Sequence, residues 1–378
     1  MHPFNSTWVR NISEYMQQAV QNAHLSGNGI FTQRCQQWLE TSFGCLKVLL
    51  THSCTAALEM AAMLLNIQPG DEVIAPSFTF VSTVNAFVLR GAKIVFVDIR
   101  EDTLNLDETL LERSISPRTK AIVPVHYAGV GCEMDKIGEL ARQYDLAVVE
   151  DNAHGLFGMY RGKPLGTFGC LATQSFHETK NITCGEGGAL IINSPAYIER
   201  AEILHEKGTN RRRFFRGQID KYSWVDIGSS YLPSELLAAF LYAQLEASSQ
   251  IQWRRRMIWE RYALHLKTWA HAQGVRLPNV PSHCEQPYHI FYLIMPSLQE
   301  RQAFIQHLGA FGILSVFHYV PLHLSEMGRK FGGKPGDCPV TEQMSERLVR
   351  LPLYHDLTEN DLHRIIQAVT SFRISCKN

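Results

Sequence analysis

The chain has 378 residues, of which 45% are apolar and 19% charged, the balance of a soluble globular protein with enough apolar material for a sizeable core. Basic and acidic residues number 36 each, so net charge offers no case for nucleic acid or a membrane surface as partner. Nine cysteines without CxxC pairs or zinc-type histidine spacing argue against a disulfide scaffold and a metal site, and for reduced thiols.

The opening residues Met1-His2-Pro3-Phe4-Asn5 lack the basic start and apolar stretch of a signal peptide, and apolar runs are far shorter than a membrane span. A cytoplasmic protein is expected. From Lys47 the runs KVLLT, DEVIAP, KIVFVD, KAIVPVH and LAVVED have the continuous, β-branched composition of buried strands. Helical segments are predicted between them at Ala56–Leu65, Phe80–Leu89, Leu106–Ile115 and Met134–Tyr144. Strand–helix alternation implies an α/β fold with a large, mostly parallel sheet, whose ligands bind beyond the carboxyl ends of the strands. After strand ALIIN a helix-rich connector is predicted from about Pro233 to Trp269. Strand HIFYLIMP, helix Gln299–Ala310, strand ILSVFH and a helix near Glu359–Phe372 follow. The expected division is a large domain over residues 1–245 and a small α/β domain over 246–378.

Three places carry candidate chemistry. Asp151 ends LAVVED, a position that suits a site carboxylate and equally a helix cap or turn. Lys180 lies between a strand and the turn Gly185-Glu186-Gly187-Gly188; it is either an exposed loop residue or an amine brought inside, where burial makes it nucleophilic. His52-Ser53-Cys54-Thr55-Ala56 leads a strand into a helix, as an ordinary cap or as a phosphate cradle. Together, a phosphate cradle, a strand-end Asp and a loop Lys are the parts that pyridoxal phosphate (PLP) needs. Arg211, Arg212, Arg213 and Arg216 form a local basic patch that reads first as a solvated loop.

The strings SCTAALEMA, PSFTFVSTVNAF, PVHYAG, EDNAHG, SFHETKN and GEGG resemble the DegT/DnrJ/EryC/StrS family of sugar aminotransferases, from about Pro3 to Ser371. The resemblance implies a PLP-dependent enzyme of fold type I, the aspartate aminotransferase fold. Lys180 would bind the cofactor aldehyde and shuttle the proton, and Asp151 would hold the pyridinium nitrogen. His154 would lie near the ring hydroxyl and Phe80 would stack on the ring. Ser53, Thr55, Ala56 and Ser175 would cradle the phosphate. Gly228 to Tyr231 of a partner subunit would complete that site in a homodimer or higher oligomer, although many relatives have Asn where Tyr231 stands. Arg211, Arg212, Arg216 and Lys221 would approach a nucleotide diphosphate, and His318, Tyr319 and His323 would frame the sugar. Relatives that dehydrate sugars carry His in place of the lysine, so Lys180 favours amination. The stretches LTHSCTAALEMAA, GTNRRRFFRGQIDKYSWVDIGSSYL and VFHYVPLH imply L-glutamate and dTDP-4-keto-6-deoxy-D-glucose as substrates and a 4-amino-4,6-dideoxy-D-galactose product. The gluco epimer, amination at C3 and sugar dehydration are the rival outcomes.

Overall fold

The computed structural model describes residues 12–374. Each of the six named apolar runs becomes a strand, and the strand expected before Lys180 is Leu171–Ser175: in chain order these are Lys47–Thr51 (β1), Glu72–Pro76 (β2), Lys93–Val97 (β3), Thr119–Ile122 (β4), Ala147–Asp151 (β5), Leu171–Ser175 (β6) and Gly188–Ile192 (β7). They form one sheet in the order β1-β7-β6-β5-β4-β2-β3. Only β7 runs against its neighbours. Helices cover both faces, so every residue of β2, β6 and β7 is buried, which is why β2 and β7 carry the apolar stretches VIAP and ALII; β6, LATQS, buries three polar residues instead. Because six strands run the same way, the ends of β1, β2, β5 and β6 meet at one edge. The loop from β6 to β7, which carries Lys180, turns at that same edge.

Helices Cys54–Leu64, Ser82–Val88 and Met134–Gln143 lie close to their predicted bounds. The helix predicted over Leu106–Ile115 does not form. Leu106 is used as an extended residue, bridged to Ile99, and only two 3-10 turns follow, Glu108–Leu110 and Glu112–Ser114. The Asp107 carboxylate takes the Thr109 N–H, and Arg100 pairs with Glu108 at 3.0 Å, so local polar contacts hold the segment in this shape.

A second apolar cluster combines Ile258, Tyr262 and Leu266 of the long helix Ser248–Ala272 with two further strands, Phe291–Ile294 (β8) and Leu348–Leu351 (β9). Helices Leu298–Ala310 and Glu359–Ser371 complete it. The predicted strand ILSVFH is not one: Val316 alone bridges to Arg350, and the chain then crosses toward the large sheet. Helix Glu235–Glu246 packs on the first region through Ala238, Leu241 and Leu245. We therefore propose the joint before Ser248–Ala272 as the boundary expected near residue 245. Among the described residues, no helix is long and apolar enough to cross a membrane.

Candidate active site

A cavity of about 460 Å³ opens at the edge where these strands end, with His289 and Ile290, just before β8, and Arg350 and Leu351 of β9 closing its far side. Its walls bring together Ser53, Thr55, Phe80, Asp151, His154, Ser175, Lys180, His318 and Tyr319, nine of the predicted site residues. Their spacing in sequence is large. The sheet edge does the gathering.

At one end lies the start of helix Cys54–Leu64. Ser53 has extended backbone, and its hydroxyl accepts the Ala56 N–H at 3.1 Å. The first N–H groups of a helix have no carbonyl one turn back, so those of Cys54 and Thr55 remain for an anion. The Thr55 hydroxyl donates to Ser82 at 2.8 Å, and Ser175 closes this corner at the end of β6. The cradle lies directly on Gly188: a Cβ there would meet the Cys54 nitrogen at 2.4 Å and the Ser53 carbonyl oxygen at 2.5 Å. That close approach explains the last glycine of the GEGG string. Ala56 stands behind this wall, 2% exposed, with its N–H already given to Ser53, so the structure does not bring it to the cavity as expected.

At the other end Asp151 finishes β5, where its carboxylate accepts the Thr83 hydroxyl at 2.7 Å and the Ala153 N–H at 3.1 Å. The preceding Glu150 points to the opposite face. Fully buried, it accepts from the backbone N–H groups of Gly166, Phe168 and Gly169 and bonds His126 at 2.8 Å. This network pins the end of β5, and with it Asp151.

Lys180 reaches the cavity from the β6–β7 loop, whose turn is held by its own N–H donating to the His177 carbonyl at 2.9 Å. Burial lowers its amine to about 8 from an ordinary 10.5, with the Arg350 guanidinium adding repulsion and Asp151 partly opposing the shift. A neutral amine is the form that attacks an aldehyde. The capture of pyridoxal phosphate by apoprotein, followed by visible absorbance, is therefore expected to accelerate as pH rises and to level off above about 8. Acceleration continuing to pH 10.5 would show that the amine is not shifted in this way.

His154 is held neutral by burial and by the charges of Lys180 and Arg350. Its Nδ1 accepts the Ala128 N–H at 3.3 Å, which leaves the proton on Nε2, 3.4 Å from the Tyr319 hydroxyl. The ring of His289 lies 4.3 Å from it, centroid to centroid, and is itself fixed by Asn181 at 2.8 Å. Phe80 presents a wall that is 58% exposed, the kind of apolar face on which a planar ring stacks.

The model of the DegT/DnrJ/EryC1/StrS aminotransferase family matches residues 8–370. The chain belongs to this family. An uncharacterized protein of Methanocaldococcus jannaschii, MJ1066, is 36% identical over 345 residues, 89% of each chain. DesV of S. venezuelae, solved in complex with a ketimine intermediate, superposes with a TM-score of 0.87 at 30% identity over 97% of both chains. Spr1654 of Streptococcus pneumoniae, assigned as a sugar aminotransferase and solved in its PMP form, gives 0.91 at 26% identity over 98% of both. The cofactor of this family member is pyridoxal phosphate, and the cavity fits it: a helix terminus suits its phosphate, Asp151 its ring nitrogen, Phe80 its face and Lys180 its aldehyde.

The other predicted substrate residues lie outside this chain's cavity. Arg212 is buried against Glu202, Glu206 and His205, Arg216 is paired with Glu202, and Arg211 faces Glu206 and the rings of Phe215 and Tyr222. Much of the basic patch is thus balanced by carboxylates of helix Ile198–His205 and of Glu206, its C-cap, which sequence spacing did not reveal. Lys221 is exposed beyond it. Tyr231 buries its ring in its own chain's core, and burial raises its phenol to about 12. Ser229 and Ser230 beside it are exposed. His323 is fully buried and bonded to Ser77 and Glu342, so it corrects the expectation of a sugar contact. Conversely, His289, Arg255 and Arg350 line the cavity without having been singled out in the sequence. Arg350 sits inside an apolar strand run, where nothing local marks it. Thr83, in the string PSFTFVSTVNAF, could have been found as a family position.

Proposed function

We propose that this aminotransferase moves the amino group of L-glutamate to the 4-keto carbon of dTDP-4-keto-6-deoxy-D-glucose and releases the 4-amino-4,6-dideoxy-D-galactose product. The observation that carries the reading is Lys180: a buried amine with lowered proton affinity, set in one cavity with a strand-end carboxylate and an open helix terminus. The bound cofactor supplies an electron sink for the carbanion left when a C–H proton departs. The chain does the rest. Asp151, held by Thr83 and Ala153, keeps a positive ring nitrogen in place, and Lys180 Nζ takes and returns the migrating proton. His154 Nε2 donates a hydrogen bond into the cavity, while Phe80 fixes the plane of the reacting ring.

The sugar reading draws support from the resemblance of the stretches around LTHSCTAALEMAA and VFHYVPLH, and from similarity to a protein assigned as a sugar aminotransferase. Lys180, not His, supports amination over dehydration. A homodimer is supported by exposed Phe215, Tyr222, Trp224 and Ile227, an apolar surface continuous with Gly228–Ser230 that suits a second copy. In such a pair Arg211, Arg216 and Lys221 would face the partner's nucleotide. The eight described cysteines are free thiols, which supports a cytoplasmic location.

The test is incubation of holoenzyme with glutamate and a set of nucleotide-linked keto sugars. Release of 2-oxoglutarate and an axial 4-amino group by NMR is expected with the dTDP-4-keto-6-deoxy sugar. An equatorial 4-amine or a 3-amine would replace the product named here, and no aminated sugar at all would remove the sugar reading.

A further inference from the structure

A serine, a histidine and a carboxylate stand in a line outside the cavity. The Ser77 Oγ lies 2.6 Å from Nδ1 of His323, whose Nε2 lies 3.0 Å from Glu342 Oε1. An ionised carboxylate only accepts, so Nε2 carries the ring proton, and neutral Nδ1 accepts from the Ser77 hydroxyl. The proton order is that of a hydrolytic triad. The setting is not. Ser77 and His323 are both 0% exposed, and neither lines the cavity, so no substrate carbonyl reaches the hydroxyl.

What the group does hold is two walls of the active site. Ser77 follows β2, with its N–H bonded to the Val97 carbonyl of β3, so it moves with the large sheet. The next residues are Phe78, then Thr79 and Phe80 of the cavity wall. Across from it, the Ser77 carbonyl accepts the Leu322 N–H at 3.0 Å and its hydroxyl accepts the His323 N–H at 3.2 Å. Five and four residues before His323 come His318 and Tyr319, the opposite wall, and Tyr319 packs edge-on against Phe78 at 5.5 Å. At its other end this crossing segment is anchored by paired backbone bonds between Val316 and Arg350 of β9. Residues 316–323 thus form a strap from the small sheet to the large one, fastened at Ser77. Glu342 holds the fastening from behind while its Oε1 also accepts the Gly336 N–H. Gly328 and Gly333 wrap the same turn so closely that a Cβ on either would strike backbone oxygen, at 1.9 and 2.2 Å.

We infer that Ser77, His323 and Glu342 are positioning residues, a latch buried at Ser77 and His323 and backed by the partly exposed Glu342, that holds the His318–Tyr319 strap at its working distance from Phe80 and so sets the fit of the keto substrate. The kinetic part of the test rests on the function proposed above; the exchange part does not. Ser77→Ala removes the central hydroxyl with little change in volume, and Glu342→Ala removes the acceptor. In the holoenzyme each is expected to raise KM for the keto sugar about tenfold and to leave kcat within about threefold, the signature of a displaced binding wall. Glu342→Gln, which keeps an acceptor oxygen, restores most of the loss. The double variant Ser77→Ala/Glu342→Ala costs no more than the worse single one, because both act through one imidazole. Hydrogen exchange of the peptide over 316–323, which needs no substrate, quickens about tenfold in both single variants. If wild type fails to aminate the sugar, the functional reading falls and the exchange result alone judges the latch. Unchanged exchange in Ser77→Ala and Glu342→Ala overturns it, as does an additive double variant or a loss confined to kcat.

Discussion

Replacing Lys180 by Ala is expected to remove the visible absorbance of the lysine-bound cofactor and to lower turnover by at least about 10⁴-fold, because one substitution deletes both the covalent tether and the proton carrier. The fold is expected to survive. Burial lowers the amine's proton affinity, which means that the folded protein disfavours the ammonium. Below about pH 8 the native state therefore bears an unfavourable buried charge, and alanine removes it. Apo Lys180→Ala should melt no lower than apo wild type in a thermal scan at pH 7. Borohydride reduction followed by peptide mapping supplies the complementary reading, with the label expected on position 180 of the wild type. Retained turnover in Lys180→Ala, or a label on another lysine, would sink the assignment.

Asp151→Asn is the second large effect, and it separates charge from shape. The Thr83 hydroxyl can turn from donating to accepting, and the remaining amide oxygen can still receive the Ala153 N–H, so the end of β5 keeps its form. What goes is the negative charge opposite the ring nitrogen. A loss of about 10²–10⁴-fold in kcat is expected with cofactor still bound. A further consequence concerns Lys180. Asp151 raises the lysine's proton affinity, so its removal lets that affinity fall further. Cofactor capture by the apo variant is then expected to level off at a lower pH than in wild type. Full activity, or a capture profile moved upward, would contradict the placement of this carboxylate.

How far these residues could be read from sequence depends on how local their setting is. Most strands announced themselves because both faces of the sheet are covered, so β2 and β7 are buried along their whole length and carry the apolar stretches VIAP and ALII; β6, with Thr173, Gln174 and Ser175, is as buried but carries no such run. Lys180, Asp151 and Ser53 were legible since each sits beside its own punctuation: a glycine turn, a strand end, a helix start. Where local pattern met a competing contact, it misled. Leu106 continues an apolar run yet is bridged to Ile99, and ILSVFH has strand composition yet pairs through Val316 alone.

By itself, then, the amino-acid order determined the alternating α/β rhythm, the family strings and the few groups whose neighbours in the chain define them. Tertiary structure decided which side chains share a cavity and which are spent elsewhere. The arginine patch met Glu202 and Glu206, and His323 met Ser77 across 246 positions. His289 and Arg350 entered the site from positions more than 100 residues beyond Lys180 in the chain. The physical reason is the range of the forces involved. Backbone conformation answers to the nearest few residues, whereas the fate of a charge or an imidazole is set by whatever the fold brings within about 3–4 Å of it.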